Sequence, residues 1–258
     1  MIWIYKEGKL CGIQTIREAL ENRIPRVVNT VKTEKPAPVI SVVGAGGKTT
    51  ILHQLAQEYV CAGEKVIVTT TTHIMDEGEE YFLTDPSVEK IKKYLKKFRQ
   101  VWAGRPAPGG KLKGLEEPIF REILTWEVPV LIEADGAKRM PLKVPAEHEP
   151  VIPEQTTHVL SVYGLDAVGK PFKEVCFRSE LAGPLLRKNG TDTVTAEDIA
   201  FLAASESGGR KRCAESAVYT VILNKADTPP RRECALEICR ILEGRGNFNV
   251  IVTAFAVG

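Results

Sequence analysis

Residues 39–50 read Val-Ile-Ser-Val-Val-Gly-Ala-Gly-Gly-Lys-Thr-Thr, an apolar strand that runs into a glycine-rich turn and closes on Lys-Thr. Few folds need that order. Glycine adopts φ values that other residues avoid, so Gly44, Gly46 and Gly47, with Ala45 between them, can turn successive N–H groups onto phosphate oxygens. Lys48 then reaches the outer phosphates of a nucleotide. The Thr49 hydroxyl sits on Mg²⁺, and Thr50 follows in the first helical turn. Ile51, Leu52, Leu55, Ala56, Tyr59 and Val60 recur at helical spacing, so a helix leaves the turn. A standard phosphate loop has a glycine five residues before its last one, where this chain has Val42. The rival dinucleotide fingerprint, Gly44-x-Gly46-x-x-Gly, meets Thr49 at its third glycine and leaves the lysine without a task. The remaining alternative is a strand–turn–helix joint whose glycines serve packing alone. The sequence therefore predicts a phosphate loop.

The rest of the chain alternates strand and helix signals. Lys65–His73 is β-branched and reads as a strand. Asp85-Pro86 opens a helix whose apolar face is Val88, Ile91, Tyr94, Leu95 and Phe98. Its lysines form a solvated surface. Val101-Trp102 is a short strand, and Gly104–Gly114 reads as a loop rich in glycine and proline. A helix over 116–126 leads into the apolar strand Val128–Asp135. Strands follow at 157–163, 217–224 and 248–253, with helices opened by Thr195 and by Thr228-Pro229-Pro230. This order implies a three-layer phosphate-loop NTPase α/β fold, a mainly parallel sheet with helices on both faces. Residues 1–37 read as an N-terminal helical extension. Residues 38–258 form the NTPase domain, with an insertion around 138–192.

Composition narrows the function classes. A net charge of +2 over 258 residues gives no nucleic-acid footprint. No apolar run approaches the roughly 20 residues of a membrane helix. The N-terminal Met-Ile-Trp-Ile-Tyr-Lys carries its charge after a very short apolar stretch and is not expected to act as a secretory signal. Six cysteines without a C-x-x-C pair suit reduced thiols, so a cytoplasmic location is expected. Cys234 and Cys239 fall about 140° apart around a helix and cannot chelate together.

Chemistry-bearing residues cluster at predicted strand ends, where parallel sheets bind ligands. Glu133 and Asp135 share one side of their strand by period-2 alternation. Asp135 is expected to hold Mg²⁺ opposite Thr49, with Glu133 as an outer ligand or as the group that orients attacking water. Asn224-Lys225-Ala226-Asp227 follows another strand. In a phosphate-loop chain that pattern reads guanine: Asp227 accepts from the ring N1–H and amine, the Lys225 stem covers the base, and Asn224 braces loops; the alternative is an ordinary strand-to-loop Asn-Lys. Thr71 and Thr72 can sense the γ-phosphate, although threonine is also an ordinary strand residue. His73 is either a proton donor or structural. Lys138, Arg139, Lys143 and His148 crowd a short stretch that can hold an anionic substrate or can be a loop tied by local pairs. Glu147, His148 and Glu149 can contribute to a metal site, although adjacent residues alone make poor ligand sets.

Taken together, Val43–Thr50, Val68–Ile74, Glu133–Pro150, Phe177–Ala182 and Asn224–Asp227 resemble the YqeC family, accessory proteins of selenium-dependent molybdenum hydroxylases. The resemblance implies a phosphate-loop protein that serves maturation of a selenium-containing molybdenum cofactor. Its partner would be an apo-hydroxylase or another maturation protein. The expectation is a Mg²⁺-dependent GTPase or ATPase, with Lys48, Glu133 and Asp135 catalytic. Alternatives are a phosphoryl or nucleotidyl transferase acting on a small anionic precursor, or a nucleotide-gated scaffold that does not hydrolyse.

Overall fold

The computed structural model describes residues 1–21 and 37–255. Its frame is a sheet of ten strands in the order Lys9–Ile13, Ile2–Lys6, Asn249–Thr253, Val218–Asn224, His158–Gly164, Val39–Gly44, Val130–Glu133, Val66–Thr70, Gln100–Ala103 and Phe82–Leu83. The eight strands from Asn249–Thr253 onward pair in parallel. The first two form an antiparallel hairpin docked on Asn249–Thr253. The fold is therefore α/β with a large, mostly parallel central sheet.

Central strands are buried on both faces, as their unbroken apolar runs require. Ile40 and Val42 pack with Ile51, Leu52 and Leu55 of the helix Lys48–Cys61. Val39 and Val43, pointing the other way, meet Ile91 and Leu95 of Val88–Phe98 and Ile123 of Glu117–Leu124. Farther along the sheet, Val221 and Leu223 pack with Ile199 of Ala196–Ala204 and Ile238 of Pro229–Glu243. Thr195 caps its helix through a reciprocal bond with Asp198, an arrangement typically worth about 1 kcal/mol for the cap alone.

Several expectations change. The N-terminal segment is no helical extension: it begins as the edge hairpin, followed by the short helix Ile16–Glu21. Residues 22–36 of that expected extension lie outside the described residues. The span 138–192 is not one insertion, because His158–Gly164 within it is a central strand. The expected loop at 104–114 is instead a hairpin, Arg105–Ala107 with Lys111–Lys113, extended by His73–Met75 into a three-stranded sheet. Gly109 and Gly110, at φ 77° and 65°, make its turn. Three-residue strands are too short to show periodicity. The helix expected to begin at Pro86 begins at Val88 instead, because Ser87 caps it, its hydroxyl accepting from the Lys90 amide.

Candidate functional site

The glycine-rich turn ends the strand Val39–Gly44 in the middle of the sheet, flanked by Val130–Glu133 on one side and His158–Gly164 on the other. That placement brings the carboxyl ends of three strands around Lys48. The Lys48 ammonium is buried and folded back on its own turn, donating to the Gly44 carbonyl at 2.9 Å. It lies 3.2 Å from Asp135 Oδ1 and 3.9 Å from Glu133 Oε1. The Thr49 hydroxyl donates to Glu133 Oε2 at 3.1 Å. Glu133 is the last residue of its strand, and the chain turns after it. The two carboxylates therefore reach different partners: Glu133 faces Thr49, whereas Asp135 takes Lys48 and, through Oδ2, the Gly44 amide at 3.0 Å. Burial pushes the Glu133 carboxyl above the ordinary carboxylate range, against the pull of Lys48 and the Thr49 hydrogen bond.

The turn is tighter than its glycines suggest. Amides of Gly44, Ala45 and Gly46, expected to cradle phosphate, donate instead to Asp135, to the Val162 carbonyl at 2.9 Å and to the Met140 carbonyl at 3.0 Å. Gly46, at φ 85°, sits where a Cβ would lie 2.2 Å from the Gly164 nitrogen and 2.8 Å from the Pro141 oxygen. No side chain fits there. The four amides that follow, those of Gly47, Lys48, Thr49 and Thr50, donate to no group among the described residues; the first intrahelical bond runs from Ile51 to Gly47 at 3.1 Å. Such orphan donors, with the helix dipole and a lysine beside them, form a positive end suited to an anion.

Asn224 braces this turn from 178 residues away, its Nδ2 donating to the Gly46 carbonyl at 2.8 Å. Its Oδ1 is fixed by the Thr253 hydroxyl at 2.8 Å. Lys225, at φ 67°, extends to Asp166 at 2.8 Å. Asp227 is exposed, with Arg231 3.3 Å away. At the next strand end, the Thr70 hydroxyl and Thr71 amide both donate to the Glu133 carbonyl, at 2.8 and 3.1 Å. The Thr71 hydroxyl bonds the Val151 carbonyl at 2.8 Å, and the Thr72 amide bonds Thr70 Oγ at 2.9 Å. Thr71 and Thr72 are half-buried at this edge, and His73 is exposed.

The basic stretch divides. Lys138 and Arg139 are exposed at φ 47° and 60°, with the Lys138 ammonium 4.9 Å from the Phe177 ring centre. Lys143 is not a free cation: it is buried among Asp135 Oδ2 at 3.0 Å, Glu149 Oε2 at 2.8 Å and the Gly136 carbonyl at 2.6 Å. Glu149 in turn accepts both arms of Arg178, at 2.6 and 3.2 Å. Burial opposes its ionisation, but Arg178 and Lys143 outweigh that and hold its carboxyl at about 2. His148 is exposed, and its carbonyl and that of Glu147 accept from Arg212 at 2.9 and 3.0 Å. Residues 147–149 therefore do not converge on a metal, and the described residues hold no group of three or more His, Cys, Asp or Glu able to do so. Cysteines play no such part either; burial pushes the Cys176 and Cys239 thiols up to about 12. Among the described residues no helix is long and apolar enough to cross a membrane.

Sequence reasoning missed Arg178 and Asp166 as partners, and missed the Met140 and Pro141 carbonyls that close on Gly46 and Gly164. Only the nearness of Phe177–Ala182 to an acidic partner could have flagged Arg178, and spacing alone does not supply that.

The model of the family described as YqeC protein matches residues 40–180, more than half of the chain. A relative from Escherichia coli (strain K12), "Uncharacterized protein YqeC", is 38% identical over 141 residues, which is 53% of this chain and 55% of that protein. The match thus spans about half the length of that curated relative. The family match includes the glycine-rich turn, both carboxylates and Arg178, and ends before Asn224.

Proposed function

The chain belongs to the YqeC family, and from that premise we propose that it binds and slowly hydrolyses a Mg²⁺–nucleoside triphosphate, with a preference for GTP. The family resemblance extends the proposal to its setting, accessory work in maturing the cofactor of a selenium-dependent molybdenum hydroxylase. One observation supports it most. The Glu133 carboxylate meets both the Lys48 ammonium at 3.9 Å and the Thr49 hydroxyl at 3.1 Å, at a helix start with four amides unpaired among the described residues.

In this reading the amides from Gly47 to Thr50 and the Lys48 ammonium hold the β- and γ-phosphates. Lys48 exchanges the Gly44 carbonyl for phosphate oxygen when nucleotide enters. Thr49 and Glu133 fit Mg²⁺, a hard cation that takes one or two carboxylates and keeps several waters. Bound there, the ion would supply positive charge to the phosphate oxygens. Glu133 replaces Asp135 in that role, because Asp135 already serves two ammonium groups and one amide. Asp135 keeps Lys48 aimed at the turn. Thr71 and Thr72 stand at the strand edge next to Glu133 and are the hydroxyls nearest to sensing the γ-phosphate. Asn224 holds the turn, while Asp227 selects guanine.

Isothermal titration with Mg·GTP and Mg·ATP tests this directly. Saturable binding that disappears in Lys48→Ala is expected, together with slow phosphate release that rises when an apo-hydroxylase is added. No heat from either nucleotide would falsify the nucleotide-binding reading.

A further inference from the structure

A row of basic residues, a histidine, a lysine and an arginine, crosses the three-stranded sheet beside the site. His73 is the register partner of Lys113, and Lys113 is the register partner of Arg105. Residues directly opposed on antiparallel strands share a face with Cβ atoms about 5 Å apart, and like charges so placed weaken a sheet. The next row, Ile74 with Leu112, is buried on the other face. Arg105 spends Nε on the Gly114 carbonyl at 3.1 Å and Nη1 on Glu116 at 3.2 Å. Lys113 forms no ion pair with a carboxylate among the described residues. It stays exposed against a like charge.

Arg105 and Lys113 wall a groove of about 910 Å³, within the size range of small-molecule sites. The groove opens at Thr70–Thr72, on the side of Glu133 where Thr70 and Thr71 hold its carbonyl. Phe120, Leu124 and Ile152 give it an apolar lining. Arg121, Glu117 and Glu154 also line it. Arg121 is paired with Glu117 at 2.6 Å and Arg105 with Glu116, so among the described residues Lys113 is the lining cation without a carboxylate partner. That cation beside apolar surface, with hydroxyls at one end, matches an anion that carries an apolar body.

We propose that this groove is a second ligand site, taking a small organic anion. Its carboxylate or phosphate head sits between Lys113 and Arg105, and its body covers Phe120, Leu124 and Ile152. The anion offsets the repulsion between Lys113 and Arg105. The site borders the nucleotide reading at Thr71 and Thr72 but goes beyond it and does not depend on it, because its anion is held by neither Lys48 nor the helix amides.

The test is a saturation-transfer NMR titration of the full chain with phenyl phosphate, phenylacetate and benzyl alcohol. At least one of the two anions is expected to bind tenfold or more tightly than the neutral alcohol. Phenyl phosphate ahead assigns a phosphate head, and phenylacetate ahead assigns a carboxylate. Lys113→Glu is expected to weaken the preferred anion at least tenfold, with Lys113→Gln in between. Lys113 is exposed, so neither change threatens the fold. Equal binding of benzyl alcohol, or undiminished anion binding in Lys113→Glu, overturns the assignment. So does a loss seen in Lys48→Ala instead, which would move the anion to the glycine-rich turn. Mg·GTP titrated into the parent chain reads the other site, so either can fail while the other stands.

Discussion

Lys143 and Lys113 both end short strands outside the central sheet, yet they handle their charge in opposite ways. Lys143 is buried and fully compensated by Asp135, Glu149 and the Gly136 carbonyl. Lys113 is exposed, opposed by Arg105, with no carboxylate partner among the described residues. A buried ammonium is tolerable only inside a complete set of partners, because desolvation costs several kcal/mol per ion. The Asp135–Lys143–Glu149–Arg178 chain is therefore a positioning device. It ties the glycine-rich turn to the helix Ser179–Leu186 and leaves no charge over for a ligand. An exposed lysine opposed by a like charge costs little, and Lys113 keeps its charge for an incoming anion, whereas Arg105 shares its own with Glu116. Compensated charge holds geometry, and uncompensated charge recruits.

The sharpest way to break that contrast is Glu149→Gln. Removing one member of a buried pair set is expected to cost about 3–5 kcal/mol, read as a lower urea midpoint. Acid sharpens the result. The folded Glu149 carboxyl is held at about 2, below its ordinary value of about 4.3. Its stabilisation is thus complete above the ordinary value and is lost as pH falls toward 2. The stability gap between parent and Glu149→Gln should shrink over that window; a gap independent of pH contradicts the compensated-network account.

Lys48→Ala comes next. A loss of 100-fold or more in nucleotide affinity, about 2.7 kcal/mol, is expected from titration calorimetry. Retained affinity would mean that the compensated side of the comparison is structure alone. Asp227→Asn is expected to shift preference from GTP toward xanthosine triphosphate by about tenfold, or 1.4 kcal/mol. Unchanged selectivity would strip Asp227 of a role in base choice and leave it to Arg231. The smallest effect belongs to the open row. Lys113→Glu turns a repulsion with Arg105 into an attraction and should raise stability by about 0.2–1 kcal/mol, measured by thermal melting. A lower melting point would show that Lys113 is already compensated.

Much of the frame was legible locally. The strand into Gly44, the helix after Lys48 and the capped start at Thr195 each depend on a few adjacent residues, where turn chemistry and apolar spacing act. The hairpin at Arg105–Lys113 was not legible, since its strands are three residues long and flanked by Pro and Gly. Nor was the fate of Lys143, which looks like a solvated cation until Glu149 and Arg178 close on it. Period-2 spacing put Glu133 and Asp135 on one side, but the chain leaves the strand between them.

The sequence by itself determined that a glycine-rich turn links an apolar strand to a helix, and that strands and helices alternate. Those choices are made by backbone freedom and side-chain spacing within a few residues. Tertiary structure alone decided that Thr49 meets Glu133, 84 positions away, and that Gly46 is gripped by Asn224 and covered by Met140. Such pairings follow from the order in which strands lie side by side, and that order is set by burying both faces of the sheet at once.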